Sequence, residues 1–459
     1  MKNNILIHQS FILIIILAII TYLVFRDSLQ YPFFIFGDAE ILDKFGPNES
    51  LFDLKRPLIV SDFKSFFGSI MWSIIGKYTS NPGSFRILNI LFHFLNSILV
   101  YRLINFTNKN NNTYIPLFCS LLFLIYPINI QSVIWISALP TILALFFVLL
   151  STYFYLKSSD DKVDFWIILS TLCFLFSIMN SKSPFFIPIL YFFYDFFKRK
   201  SSIKIITLKS LFFTPSIWFI FNYWYGFVPV NKTSLSFIDK INVFKFSFFK
   251  LFLPLNTSID YQIDDVNPIE VTIFIFGLFS ILLLFLKNKK WSFIGVAISF
   301  ICLSLLPFFD VKTSDIHLYS ASIGVIYLLN GVLMLITVNN NNLKYKATLL
   351  SIFMLFLVFK QQQKIMKHWI TSESQLLYSY SNNQESYVLN MALGALYKSK
   401  SEYMRSLYHF NKAREINPRS VMAKHETIEG YKKFNPSDGY DMANIDFFFN
   451  DLAKSLNKN

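Results

Sequence analysis

Segments of roughly 17 to 25 apolar residues, the length that crosses about 30 Å of hydrocarbon, recur through most of this chain. Inside a bilayer every backbone N–H and C=O must be bonded within the protein, so uninterrupted runs of that length have one common outcome, the transmembrane helix. Composition agrees: of 459 residues 54% are hydrophobic and 55 are Phe, which is more than a soluble domain carries. The spacing predicts helices near residues 5–25, 85–104, 114–130, 135–156, 165–180, 184–197, 205–225, 268–286, 291–308, 318–338 and 347–359, about eleven spans by length. The first of them is preceded by Lys2 and lacks a small-residue cleavage site, so it is expected to persist as an uncleaved helix.

The net charge of +14 is scattered among spans and loops, not gathered into one stripe, which argues against a nucleic-acid partner. Membrane topology accounts for it. With Lys2 in the cytoplasm, the cytoplasmic connections carry Lys109, Lys157, Lys162, Lys198, Arg199, Lys200, Lys204, Lys287, Lys289, Lys290, Lys344 and Lys346, as the positive-inside rule requires. The loops 26–84 and 226–267 and the tail then lie outside. In the second of these loops Lys240, Lys245 and Lys250 alternate with Phe and Leu, as in an interfacial amphipathic helix. Abundant Ile, Lys, Asn and Phe suggest an AT-rich genome, and with it a bacterial inner membrane with a periplasmic tail. Cys119, Cys173 and Cys302 all fall in apolar segments without metal-like spacing and read as small core residues.

The chain therefore divides into a membrane domain, 1–360, and a polar helical domain, 361–459, in an all-α fold: a polytopic bundle followed by a soluble tail. In the tail Asn390, Leu393, Gly394, Tyr397, Ala413 and Pro418 have the spacing of a tetratricopeptide repeat, with small residues where two helices touch and a proline ending the second. Helices are expected at 387–398, 403–416, 420–434 and 445–456.

Chemistry is expected where ionisable groups meet the membrane surface. Asp38, Glu40 and Asp43 follow the first span, just after the aromatic run Tyr31, Phe33, Phe34 and Phe36. Carboxylates partly stripped of water become better proton acceptors for a hydroxyl. Arg86, Asn89, His93 and Asn96 share one face of the second helix. Arg86 either meets an anion or snorkels to the interface, and His93 either serves a site or hydrogen-bonds within the bundle. Lys182, in the turn Ser181-Lys182-Ser183-Pro184, suits a phosphate or a lipid headgroup. Asp260, Asp264 and Asp265 read as a solvated loop. No spacing suggests zinc and no Gly-rich turn suggests a nucleotide cradle, so no cofactor is implied and a role for a divalent metal stays open.

Taken in order, these motifs resemble the transmembrane and tetratricopeptide-repeat O-mannosyltransferase-like family, relatives of the protein O-mannosyltransferases with the C-type glycosyltransferase fold. Gly37-Asp38-Ala39-Glu40 resembles the family's acidic motif, with glycine at its first acidic position. Arg56-Pro57-Leu58 and the segment Ser84–His93, ending in Asn89 and His93, follow it. Tyr126–Val133 sits where the family has His-Pro-x-His-x-Glu-x-Val and keeps the proline and valine; Ala138–Thr141 replaces Gly-Arg-x-Asp. Asn180–Ser183 keeps the lysine of Ser-Lys-Glu, Pro188 and Tyr194-Asp195 fit, and Asp315–Gly324 is similar to Glu-Arg-Tyr-Leu-Tyr-Leu-Pro-Ser-Ile-Gly without its arginine.

The resemblance implies an inverting transfer of sugar from a polyprenyl-phosphate donor, in contact with membrane lipid, to a protein or glycan acceptor presented by the repeat tail. Asp38 is then expected as base and Glu40 as its neighbour. Arg86, Lys182 and His317 are expected on the donor phosphate, with Arg56, Asn89, His93 and Asp315 lining the pocket. Two other classes compete with this one. The missing family positions favour a non-catalytic scaffold whose tail recruits partners, and a transporter or polysaccharide polymerase is the third.

Overall fold

The computed structural model describes residues 2–34, 38, 41, 45, 65–108, 114–220, 237–261, 269–270, 272–277, 292–305, 314–337 and 341–434. Among these residues all regular structure is helical, in agreement with the all-α expectation. Glu40, Arg56, Asp264, Asp265 and the helix expected at 445–456 lie outside the described residues, as does most of the span expected at 268–286. The chain forms two compact units. The first comprises residues up to 33, 37–257 and 265–367, and the second residues 34–36, 258–264 and 368 onward.

In the first unit α1 (Lys2–Phe25) runs into a tight helical turn, Arg26–Gln30. It exposes Ile12, Ile15, Ile19, Tyr22 and Leu23 and buries Leu13, Leu17, Val24 and Phe25, the pattern of a helix packed on one side with an apolar exposed face on the other. Next come α2 (Phe66–Gly76) and α3 (Pro82–Thr107). Asn81 caps α3 by accepting the Gly83 N–H at 2.8 Å, with Pro82 in the first turn, where its missing N–H costs nothing. A Cβ at Gly83 would sit 2.3 Å from the Leu29 carbonyl oxygen. Only glycine lets the turn after α1 lie this close to the start of α3.

Three helices are long and apolar enough to cross a membrane by length and composition: Ile12–Gln30, Pro82–Thr107 and Ile136–Lys157. The other apolar helices are shorter, at 10–17 residues, so the count of about eleven crossings is not reached by length alone among the described residues. Two differences from the sequence expectation have clear causes. The loop expected at 26–84 contains α2, an apolar helix of 11 residues that buries Trp72. The helix expected at 114–130 breaks into α4 (Tyr114–Ile125) and a short, wholly buried α5 (Asn129–Ile134), because Pro127 disfavours a helical Tyr126 and removes an N–H from the ladder.

The bundle continues through α6 (Leu139–Lys157), α7 (Phe165–Ile178), α8 (Ile187–Phe193), α9 (Ile203–Ile220), α10 (Phe237–Phe252), α11 (Ser292–Leu305), α12 (Ser322–Thr337) and α13 (Asn341–Met366). A core built on Phe118, Leu122, Phe123, Ile142, Leu145, Tyr319 and Val325 joins α4, α6 and α12. A second core of Ile41, Trp72, Phe85, Ile136, Leu139 and Leu143 packs Ile41 against α2, α3 and α6. α13 runs past the polar shift at Gln361–Gln363 to Met366, since glutamine is nearly as good a helix former as leucine.

The second unit carries α14 (Ser372–Asn382), α15 (Tyr387–Ser399), α16 (Tyr403–Ile416) and α17 (Val421–Phe434). The last three stand where helices were expected; α14 was not foreseen. Gly394 lets α15 and α16 touch: a Cβ there would lie 2.6 Å from the Phe410 ring, and the Ser406 hydroxyl donates to the Gly394 carbonyl at 2.8 Å. Ser386 caps α15 by accepting the Leu389 N–H at 3.1 Å, and its hydroxyl also donates to the Asp260 carboxylate. Asp260 is therefore buried, a correction to the solvated loop expected for it.

Candidate active site

The polar face of α3 is fully buried: Arg86, Asn89, His93 and Asn96 are each 0% exposed. Arg86 does not snorkel. Its Nε donates to the Ile134 carbonyl at 2.7 Å, Nη1 to the Ser28 and Tyr31 carbonyls at 2.8 and 2.9 Å, and Nη2 to the Pro32 carbonyl at 2.9 Å. One guanidinium thus satisfies four main-chain acceptors at the ends of two helical segments, and the close approach at Gly83 brings three of them within reach. A planar fork of fixed donors suits this task, and an ammonium does not.

Asn89 continues the pattern, donating to the Ser132 and Trp135 carbonyls at 3.2 and 2.7 Å. His93 meets the Leu124 carbonyl through Nε2 at 3.0 Å and the Tyr319 hydroxyl through Nδ1 at 2.8 Å. A carbonyl only accepts, so Nε2 carries the proton and Nδ1 accepts from Tyr319. Tyr319 in turn accepts from Asn96 Nδ2 at 3.1 Å. The stripe is a zipper that fastens α3 to the turn after α1, to α4 and α5, and to the start of α12. For His93 this is the bundle-internal role that competed with a site role.

Asp38 is also 0% exposed. Its Oδ1 accepts the Ser137 N–H at 2.9 Å, in the helical turn Ile136–Ala138 after α5, and its charge lies close enough to Arg86 to stabilise the cation. The structure therefore brings Asp38, Arg86 and Asn89 together at the C-terminal end of α5.

A second group forms around the helical turn Asp315–Leu318, which packs on α5. Gln131 of α5 donates to the Ser314 hydroxyl at 2.9 Å. The turn between α7 and α8 reaches the same place, with Ser183 and Ser320 hydroxyls 3.3 Å apart. Lys182 on that turn acts electrostatically on His317: burial first, and the Lys182 cation second, hold the imidazole down at about 4, so it is neutral at pH 7. On α10, burial lowers the Lys250 pKa, and the charge of Asp315 acts in the opposite direction. Tyr126, in the turn before α5, donates its hydroxyl to the Leu251 carbonyl and so ties down the same end of α10. Two lysines, a histidine and an aspartate from three separate segments thus act on one another in two pairs, Lys182 on His317 and Asp315 on Lys250, and the turn carrying Asp315 and His317 packs on α5, which bears Asn129, Gln131 and Ser132. Sequence reasoning named Lys182, His317 and Asp315 but placed Lys250 on an interfacial helix. The available signal was that a lysine amid Phe248, Phe249 and Phe252 needs a partner if that face is covered.

Sequence reasoning also missed a buried ionic cluster elsewhere in the first unit. Beyond α8 the chain makes one wide π turn, Tyr194–Arg199, closed by Lys200 in the left-handed region (φ 56°). Asp195 on this turn accepts from Lys209 Nζ at 3.1 Å, Arg199 Nη1 at 3.2 Å and the Tyr155 hydroxyl at 2.9 Å. Arg199 also bonds the Tyr155, Leu156 and Ser158 carbonyls at 3.0, 3.1 and 2.9 Å and pairs with Asp160 at 2.7 Å. It thereby caps α6. Arg199 had counted as a cytoplasmic surface charge and turns inward instead. A lysine in the middle of α9 was the legible hint.

Among the described residues no group of three or more His, Cys, Asp or Glu could hold a metal ion. Comparison of the chain with family models, curated proteins and solved structures finds no match.

Proposed function

We propose that the chain is a membrane glycosyltransferase of the C-type glycosyltransferase class that moves a sugar from a polyprenyl-phosphate donor to a protein or glycan hydroxyl on the outer face of the membrane. The observation that carries this reading is the action of Lys182 on His317 and of Asp315 on Lys250 at the turn that packs on α5. A lipid-linked donor must keep its tail in hydrocarbon while its phosphate meets cationic groups. The three crossing-length helices and the shorter apolar ones belong, on this reading, to a bundle of about eleven spans. The second unit is a tetratricopeptide-like acceptor platform, supported by the Gly394–Phe410 contact and the Ser406 bond across its helix pair. With the N-terminus cytoplasmic, the tail and the cationic group share the outer side of a bacterial inner membrane.

In the reaction the acceptor oxygen attacks the anomeric carbon and forms the new glycosidic bond as the bond from that carbon to the phosphate oxygen breaks. The bonding pair leaves on polyprenyl phosphate and the hydroxyl proton passes to a carboxylate. Asp38, oriented by the Ser137 N–H, is the proposed base. Lys182 and His317, with Lys250 added, stabilise the charge gathering on the leaving phosphate. Arg86 holds the backbone of the site and is not assigned to the phosphate. Purified full-length protein in nanodiscs should release undecaprenyl phosphate from undecaprenyl-phosphate hexose when an acceptor glycan is present. Asp38→Asn and Lys182→Ala should each lower that rate at least about tenfold; full activity in both variants would end the assignment. The scaffold reading retains one favourable observation, the complete burial of Asp38 and Arg86 in main-chain contacts. It predicts no release from any such donor.

A further inference from the structure

α5 carries more hydrogen-bonding capacity than its surroundings use. Gln131, Ser132 and, facing them from α3, Asn89 are each 0% exposed. Gln131 Nε2 is bonded to Ser314 and both Asn89 N–H donors go to the Ser132 and Trp135 carbonyls. Gln131 Oε1, Asn89 Oδ1 and Ser132 Oγ have no hydrogen-bond partner among the described residues. Leaving one such buried atom unmatched costs about 1–3 kcal/mol. Two of them on α5 and a third facing it from α3 form a site that gains from a ligand rich in hydroxyls. All three side chains are uncharged, and Gln131 bonds the residue immediately before the turn that carries Asp315 and His317.

Resting on the lipid-linked donor proposed above, we propose that Gln131, Ser132 and Asn89 form the subsite for the sugar ring of that donor and accept hydrogen bonds from the hydroxyls of an uncharged hexose. The phosphate lies with Lys182, His317 and Lys250 on one side of Gln131, and the sugar hydroxyls lie along α5 on the other. Because sugar hydroxyls donate as well as accept, they match amide and hydroxyl oxygens that the protein leaves unpaired. A carboxylate-bearing sugar would set anion against oxygen lone pairs there. Gln131 is the specificity-determining residue of the set: it alone of the three bonds Ser314, next to the turn that carries Asp315 and His317.

The test compares two lipids on the full-length protein in nanodiscs, undecaprenyl phosphate and undecaprenyl-phosphate hexose. The wild type should bind the sugar-bearing lipid more tightly. Gln131→Met, close in shape but without the amide, should lose roughly tenfold of that preference, the worth of one hydrogen bond, with a smaller loss for bare undecaprenyl phosphate because the bond to Ser314 goes too. Ser132→Ala, a deletion of one oxygen, should reduce the preference in the same direction and serves if Gln131→Met folds poorly. If both variants keep the wild-type preference, these oxygens hold only buried water and the subsite is overturned while the donor reading stands. Equal wild-type binding of the two lipids also overturns the subsite. If the wild type binds neither lipid, the donor reading itself falls, and the subsite with it.

Discussion

Replacing Arg86 by Met separates an architectural guanidinium from a phosphate ligand. In the structure the side chain makes four bonds to main-chain carbonyls at 2.7–2.9 Å and is wholly buried. Bonds from a charged donor contribute about 1.5–3 kcal/mol each when formed, and a carbonyl orphaned inside the protein costs about 1–3 kcal/mol. Not all of these add, because the Ser28–Pro32 turn can move toward water and because desolvating the cation already cost several kcal/mol. Removing one side of a buried charged network typically costs about 3–5 kcal/mol, and that range is expected here, with the Asp38 carboxylate losing its neighbouring cation as well. Arg86→Lys keeps the charge but cannot reach carbonyls in three directions, so it should recover less than half of the loss. Thermal unfolding followed by fluorescence-detected size exclusion in detergent reads both variants. Melting at the wild-type temperature for Arg86→Met, combined with loss of undecaprenyl phosphate binding, would refute the staple and return Arg86 to the donor site.

The ionic cluster around Asp195 should behave as one unit. Asp195→Asn and Lys209→Met each leave buried partners uncompensated and should destabilise by about 3–5 kcal/mol, and the double variant should cost less than the sum of the two by at least about 1 kcal/mol; additive losses would show that the two groups do not interact. In the tail, His409 donates from Nδ1 to the Asn390 Oδ1 at 3.0 Å, and burial, then Arg405, hold its pKa down at about 4. The unfolded chain takes up that proton near pH 6.5 and the folded chain only near 4, so stability is full above about 6.5 and declines as pH falls toward 4, by roughly 3 kcal/mol at most. Hydrogen exchange of amides in 387–416, corrected for its intrinsic pH dependence, should show this decline, and His409→Gln should flatten it.

The sequence made the fold class plain because periodicity and length are local properties. The apolar runs, the Asn81-Pro82 start of α3 and the Gly394 pattern in the tail each announce a helix without knowledge of its neighbours. The polar face of α3 was legible as a stripe, but its use was not. Which carbonyls Arg86 would meet depends on Gly83 admitting the turn after α1, a tertiary fact that spacing along one helix does not contain. Lys250 was misjudged and Lys209 passed over for the same reason: their positions between aromatic and aliphatic residues suit a membrane interface or an open helix face until another element covers them. The break at Pro127 was legible and outweighed by the continuity of the apolar run, although the proline is what creates α5, the short helix on which both polar groups converge.

An experimental structure of the full-length protein in nanodiscs with undecaprenyl-phosphate hexose tests the central claim most directly. The phosphate is expected between Lys182 and His317, with Lys250 nearby and the sugar along Gln131 and Ser132. A headgroup seated away from α5, with the side chains of Lys182, His317 and Lys250 turned to lipid or to each other, would contradict it.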